Sequence, residues 1–384
     1  MEVLTWEQRK LGEVTQITMG QSPNSENYTD NPEDYILVQG NADMKDGRVT
    51  PRVWTTQVTK LAEKNDLILS VRAPVGDIGK TDYNVVLGRG VAAIKGNEFI
   101  FQLLGKMKQD KYWTKLSTGS TFESISSKDI QEAVLMLPNR AEKIKIGEFL
   151  KKLDDAVALH LRKLQALQQL KKGFLQKMFP ENQEKVPQIR FAHFQEEWEQ
   201  RKVMDMSEET YGGGTPRTNN KEYWQGEFPW IQSSDLKNDQ LCDVIPTKFI
   251  TNEAINKSAT KVIPSNSIAI VTRVGVGKLA LIPYDYTTSQ DFLSLSRLTV
   301  EPWFGVYSLY KLLKKEINNI QGTSIKGITK LDLLEKKIIL PSSLEEQIKI
   351  GAFFQKLDST IALHQSKLEH LQSIKHSLLQ KMFL

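Results

Sequence analysis

The chain has 384 residues, with 51 Lys and Arg against 46 Asp and Glu, five His and one Cys. That length exceeds one ordinary core, so two or more domains are expected; the single Cys242 excludes an internal disulfide, and the histidines show no zinc-ligand spacing. No apolar run reaches the length of a membrane span and Met1 to Lys10 lacks a secretory signal, so a cytoplasmic protein with no membrane partner is expected.

In chain order, residues 1–138 open on Trp6-Glu7-Gln8-Arg9-Lys10 and continue through short apolar runs such as Leu67-Ile68-Leu69 and Val85-Val86-Leu87. These runs are bounded by Gly, Pro, Asn or Asp and separated by long polar loops, which predicts a mixed α/β globule dominated by sheet. Residues 139–179 change period. Asn139 stands three residues before Glu142, as at a capped helix start, and an apolar seam spaced three and four runs Leu150, Leu153, Val157, His160, Leu164, Leu167, Lys171, Phe174, Met178. Pro180 stops this helix, and residues 180–197 form a polar connector.

Residues 198–341 then begin again. Trp198-Glu199-Gln200-Arg201-Lys202 repeats the opening motif at an offset of 192, and Ile268 to Val271 and Ile338 to Leu340 are further strand-like runs. Residues 342–384 repeat the helix, with Ser342 ahead of Glu345 and the seam Phe354, Leu357, Ile361, His364, Leu368, Leu371, Lys375, Leu378, Met382. Lys145-Ile146-Gly147, Lys152-Leu153-Asp154 and Leu175 to Phe179 all recur at a constant offset of 204, so each half ends in an element of fixed length. The polar residues in the seams, His160 with His364 and Lys171 with Lys375, either reach solvent beside the seam or fix its register.

Charge is uneven along this plan. Residues 1–140 carry 17 basic and 18 acidic groups and residues 191–343 carry 18 of each, so any polyanion contact by the variable middles must come from local patches.

Enzyme motifs fail on inspection. Gly79-Lys80-Thr81 has the tail of a phosphate loop but Pro74 stands where its first Gly is needed, and Gly277-Lys278 is followed by Leu279. Asn31-Pro32-Glu33-Asp34 departs from the amino-methyltransferase motif after two residues, and no Gly-x-Ser-x-Gly elbow is present. Trp54, Trp113, Trp224, Trp230 and Trp303 fit core packing better than single-strand stacking.

The opening Trp6 to Gly12, the turn Gly214-Thr215-Pro216, the segment Arg273 to Gly277, the helix start Glu346 to Ile350 and the helix end Leu379 to Phe383 resemble, in that order, specificity subunits of type I restriction-modification systems. The resemblance covers essentially the whole chain and implies an α+β fold with an internal pseudo-two-fold repeat. Two mixed α/β, sheet-rich target-recognition domains, 1–138 and 198–341, would each be followed by a long helix, 139–179 and 342–384. The helices would pair as an antiparallel coiled coil and act as a spacer. It further implies a non-catalytic subunit reading a bipartite site on double-stranded DNA and directing two methyltransferase subunits, which carry S-adenosylmethionine, and restriction subunits, which use ATP and Mg. No cofactor is expected in this chain. A recognition subunit of a modification-only methyltransferase, or a coiled-coil protein-binding scaffold, are the alternatives. The Pro-x-Ile-Arg-Phe stretch from Pro187 to Phe191 has no counterpart before Trp6, which leaves open whether the start lies upstream.

Base edges and phosphates are read by polar side chains on loops. In the first half these are Gln21, Ser22, Asn41, Arg72, Lys80, Ser120 and Thr121. In the second they are Thr215, Arg217, Ser233, Ser234, Arg273, Lys278, Gln290, Thr323, Ser324 and Lys326. Arg72 and Arg273 each follow an apolar strand and precede a glycine-containing turn, and Gln290 has the amide that pairs with adenine.

Overall fold

The structure is a computed structural model describing residues 6–117, 123–181, 184–319 and 327–383. The chain divides into two compact units: residues 1–162 with 365–384, and residues 163–364. Each long helix, Arg140–Lys177 and Leu344–Met382, contributes to both. Among the described residues no helix is long and apolar enough to cross a membrane.

In the first unit the apolar runs become strands of two sheets. One runs Ile17–Met19, Val91–Ile94, Leu67–Ser70, Ile78–Lys80, Arg48–Val49, Met44–Lys45 in spatial order, and the other Tyr28–Thr29, Val53–Thr55, Tyr35–Val38, Val85–Leu87, Leu61–Ala62. Val85–Leu87 lies parallel to Tyr35–Val38, whereas Val91–Ile94 lies antiparallel to Leu67–Ser70, so three residues carry the chain from one sheet to the other. Leu67, Leu69, Val85, Leu87, Ala92 and Ile94 are fully buried, which is why these runs are apolar throughout instead of alternating.

The second unit repeats the plan. Ser207–Gly212, Phe292–Leu298, Ser267–Val271 and Leu279–Ile282 form one sheet, and Lys248–Ile250, Phe228–Ile231 and Thr287–Thr288 the other. Phe228–Ile231 is again parallel to the strand that precedes the switch.

The shared ends of the two halves have a structural reason. The opening motif is a strand that pairs with the last strand before the helix, Glu7–Lys10 with Val134–Leu137 and Glu199–Lys202 with Lys337–Leu340. Its tryptophan packs on the phenylalanine ending the other long helix: Trp6 lies 6.3 Å from Phe383 in the first unit and Trp198 lies 6.1 Å from Phe179 in the second. The repeated glycine is required by close approach, because a Cβ on Gly147 would sit 2.9 Å from the Phe99 nitrogen and one on Gly351 2.8 Å from the Phe304 nitrogen.

Within each unit the start of one long helix runs antiparallel to the end of the other. In the first, Leu150 and Leu379 share a core; in the second, Ile350 and Phe354 pack with Met178 and Phe179. Every seam residue is buried or half-buried, including His160 and His364. The two seam lysines pair with acids of the other long helix. Lys171 reaches Asp358 at 2.6 Å, and Asp358 also accepts from the Tyr307 hydroxyl at 2.7 Å. By the same geometry Lys375 meets Asp154, which accepts from Gln102 at 2.7 Å. The repeated Lys-Leu-Asp thus supplies the acid for the seam lysine of the other copy, Asp154 for Lys375 and Asp358 for Lys171.

The helix starts differ in detail. Asn139 accepts from the Glu142 nitrogen at 3.0 Å as expected, but the second cap is Ser343 and not Ser342, with its hydroxyl 3.4 Å from the Glu346 nitrogen. Ser342 faces Glu196 instead, because the helix begins one residue later relative to Pro341. The connector is anchored where Arg190 forks onto Glu346 through two bonds of 2.7 and 2.8 Å.

Candidate nucleic-acid interface

The turn that switches sheets carries the candidate site in each unit. In the first it is Gly88-Arg89-Gly90, where the Gly88 nitrogen donates to Val38 at 2.8 Å and the Val91 nitrogen to Gly88. The turn is pressed against Gly20, whose missing Cβ leaves room for the Gly88 carbonyl. Around it lies a cleft of about 300 Å³ lined by Ser22, Tyr28, Gln39, Asn41, Arg72 and Arg89, among others. Three residues expected from the sequence, Ser22, Asn41 and Arg72, therefore meet in one place.

The polar frame of this cleft is built from short-range bonds. Asp43 is buried and accepts from the Gln39 nitrogen at 2.7 Å and the Gly40 nitrogen at 3.2 Å, which folds the loop and leaves the Gln39 and Asn41 side chains uncommitted to the turn. Ser22 accepts from the Arg89 backbone at 3.0 Å and from its Nε at 3.4 Å. Ser70 ties the Arg72 loop through bonds to the Arg72 and Pro74 carbonyls at 2.9 and 3.0 Å. Arg72 and Arg89 are exposed, and among the described residues neither has an ion pair with a carboxylate.

Two other expected residues lie apart. Gln21 is exposed beside the cleft, its backbone held by Leu87 and Thr59. Lys80, expected on a loop, ends the strand Ile78–Lys80 opposite Leu67 and sits 3.6 Å from Glu98, because the apolar run at Leu67 needs an antiparallel partner there. Its strand setting also differs from a phosphate loop. Ser120 and Thr121 lie outside the described residues, as do Thr323, Ser324 and Lys326.

The second unit has the same frame with different side chains. The switch is Ser289-Gln290-Asp291, the Ser289 nitrogen donates to Ile231 at 3.0 Å, and Gly213 makes room for the Ser289 carbonyl. Thr215 follows the same glycine turn as Ser22, and Gln232 with Ser233 and Ser234 follows the equivalent strand, its turn held by Asp235 at 2.9 Å. Arg273 is exposed after Ser267–Val271, as Arg72 is after Leu67–Ser70. Lys278 reaches the Ser233 carbonyl at 3.1 Å, which draws two expected residues together. Arg217 is exposed on its own loop, its carbonyl accepting from Trp224 at 3.2 Å.

Sequence reasoning passed over Gln39, Arg89 and Lys330. Lys330 lies close enough to Arg273 that burial first, and this like charge second, push its ammonium below the usual lysine range. The repeated Gln-Gly and Gln-Ser after an apolar strand was a usable signal for Gln39. For Arg89 the signal was its place between two glycines. Trp113 and Trp230 are buried in cores, and Trp224 packs edge-on to Trp230 at 4.9 Å beneath Lys248. The Cys242 thiol is pushed up to about 12 by burial and the neighbouring Asp243 carboxylate, so it is no nucleophile at neutral pH.

The model of the type I restriction modification DNA specificity domain matches residues 4–169 and again 195–373. The chain belongs to this family. Two specificity-domain copies correspond to the repeat read from the sequence and to the two sheet plans. A putative type I restriction enzyme MjaX specificity subunit of Methanocaldococcus jannaschii is 31% identical over 44% of this chain and 41% of that protein. The EcoR124I/EcoR124II specificity subunit of Escherichia coli is 34% identical over 39% of this chain and 38% of that protein, so each match spans less than half of the relative. The crystal structure of a type I restriction-modification S subunit from M. genitalium covers 100% of this chain and 97% of its own, at a TM-score of 0.70 and 16% identity. A chain from a structure of type I R-M complex assembly and conformational transition covers 98% and 97%, at 0.54 and 18%. At those identities the two structures show a shared fold.

Proposed function

We propose that this specificity-family chain is the DNA-recognition subunit of a type I restriction-modification enzyme and reads a bipartite target on double-stranded DNA without catalysing a reaction. Residues 1–138 and 198–341 act as target-recognition domains, each reading one half-site. The helices, 139–179 and 342–384, pair as a coiled-coil spacer, and 180–197 connects the halves. Two methyltransferase subunits with S-adenosylmethionine, and restriction subunits with ATP and Mg, act with it in the cytoplasm. The chain itself carries no cofactor.

The observation that carries this reading is the duplicated sheet-switch turn. Each copy holds exposed or half-buried hydrogen-bonding side chains whose backbone is fixed by neighbours: Ser22, Asn41, Arg72 and Arg89 in one, Thr215, Ser233, Arg273 and Gln290 in the other. Rigid loops with uncommitted donors and acceptors suit base edges, and the differing side chains on one frame suit two different half-sites. Lys278, Arg217, Ser234 and Gln21 border these frames and suit phosphate or sugar contacts. Lys80 keeps such a role only by leaving Glu98.

The test is to express the chain with its methyltransferase in cells and sequence the modified bases. One motif of two specified blocks around an unspecified gap is expected. Modification with no sequence preference, or no dependence on this chain, would overturn the reading and favour a protein-binding scaffold.

A further inference from the structure

The two switch turns share three backbone hydrogen bonds. The Gly88 and Ser289 nitrogens donate to Val38 and Ile231, the Val91 and Phe292 nitrogens to the Gly88 and Ser289 carbonyls, and the Gln21 and Gly214 nitrogens to Leu87 and Thr288. The strands leaving the turns have matching register, Val91 opposite Ser70 and Phe292 opposite Val271. Arg89 and Gln290 therefore occupy one position of a common frame, and both are exposed. Each is the middle residue of its three-residue turn, and Arg89 has a glycine on either side.

Chemistry separates the two. Ser22 takes the Arg89 Nε, which leaves the two terminal amines of the guanidinium as a planar fork of donors. That fork matches the paired O6 and N7 acceptors on the major-groove edge of guanine. A glutamine carries one acceptor and one donor group, which match the N6 amine and N7 of adenine. Resting on the recognition function proposed above, we infer that the sheet-switch turn is a base-reading position common to both units, with Arg89 selecting a guanine in one half-site and Gln290 an adenine in the other.

The test uses the chain assembled with its methyltransferase, and duplexes carrying the two-part motif found by sequencing modified bases. Each guanine of the first unit's half-site and each adenine of the second unit's is replaced in turn by its 7-deaza analogue, which lacks the N7 acceptor. The wild-type complex should lose roughly ten- to a hundredfold in affinity at one guanine and at one adenine. Arg89→Ala should be indifferent to that guanine analogue and Gln290→Ala to that adenine analogue, each variant retaining full discrimination in the other half-site. Arg89→Gln, which keeps a hydrogen-bonding side chain, guards against a folding artefact and should also lose the guanine preference. If each variant weakens all duplexes equally, with wild-type sensitivity to every analogue intact, the side chains contact phosphate and the inference is wrong. A wild-type complex with no two-part motif would instead bring down the recognition function itself, and the inference with it.

Discussion

At the scale of single residues, the seam ion pairs are the sharpest test of how the helices are held. The Lys171 and Asp358 side chains are 11% and 17% exposed, whereas Lys375 and Asp154 are 24% and 32% exposed. Removing one partner from the more buried pair leaves a lysine and the Tyr307 hydroxyl without their acceptor. Asp358→Ala should therefore cost about 3–5 kcal/mol. Asp154→Ala, with solvent nearer to Lys375, should cost about 1–2 kcal/mol. Urea unfolding checks both. Adding Lys171→Met to Asp358→Ala should recover part of the loss, and equal losses at the two aspartates would contradict this account. A special place for these lysines was legible in the sequence because both interrupted an apolar seam at matching positions. The aspartates were visible only as part of a repeated tripeptide, since nothing in a single helix says which turn of another helix will face it.

At the scale of elements, the repeated glycines act through packing and not through helix propensity. An exposed helical Gly→Ala change ordinarily gains about 1 kcal/mol. Here the methyl group meets the backbone nitrogen of Phe99 or Phe304 at under 3 Å, and backbone cannot yield as a flexible side chain does. Gly147→Ala and Gly351→Ala should each destabilise by about 1–3 kcal/mol, measured by thermal or urea unfolding. A gain in stability would contradict the close approach. Strands and helices were legible because buried runs such as Leu67 to Leu69 and Ile268 to Val271 are apolar throughout, and the three-four seams repeat without error over both long helices. The cleft was legible only in part. Ser22, Asn41 and Arg72 stand beside turn signals that sequence reasoning can use, whereas Lys80 looked like a loop cation until the antiparallel pairing with Leu67 placed it in a strand. The glycines on either side of Arg89 mark a turn, but that this turn joins two sheets at the cleft is a relation that no local pattern encodes.

At the scale of the whole molecule, the central claim is that two copies of one recognition plan read two halves of a target independently. The variable middles carry nearly balanced charge, so on the proposed function selectivity rests on the side chains of the sheet-switch turns and their neighbours and not on a general attraction to polyanions. The shared opening strand, closing strand and helix form the constant part of each half, and they enclose the residues that differ. The most direct measurement is methylation mapping of a chimaera in which residues 13–137 are replaced by the middle of another family member, expressed with the methyltransferase. The account predicts that one block of the motif changes while the other block is retained. Loss or change of both blocks together, in a chimaera that still folds and supports methylation, would contradict it.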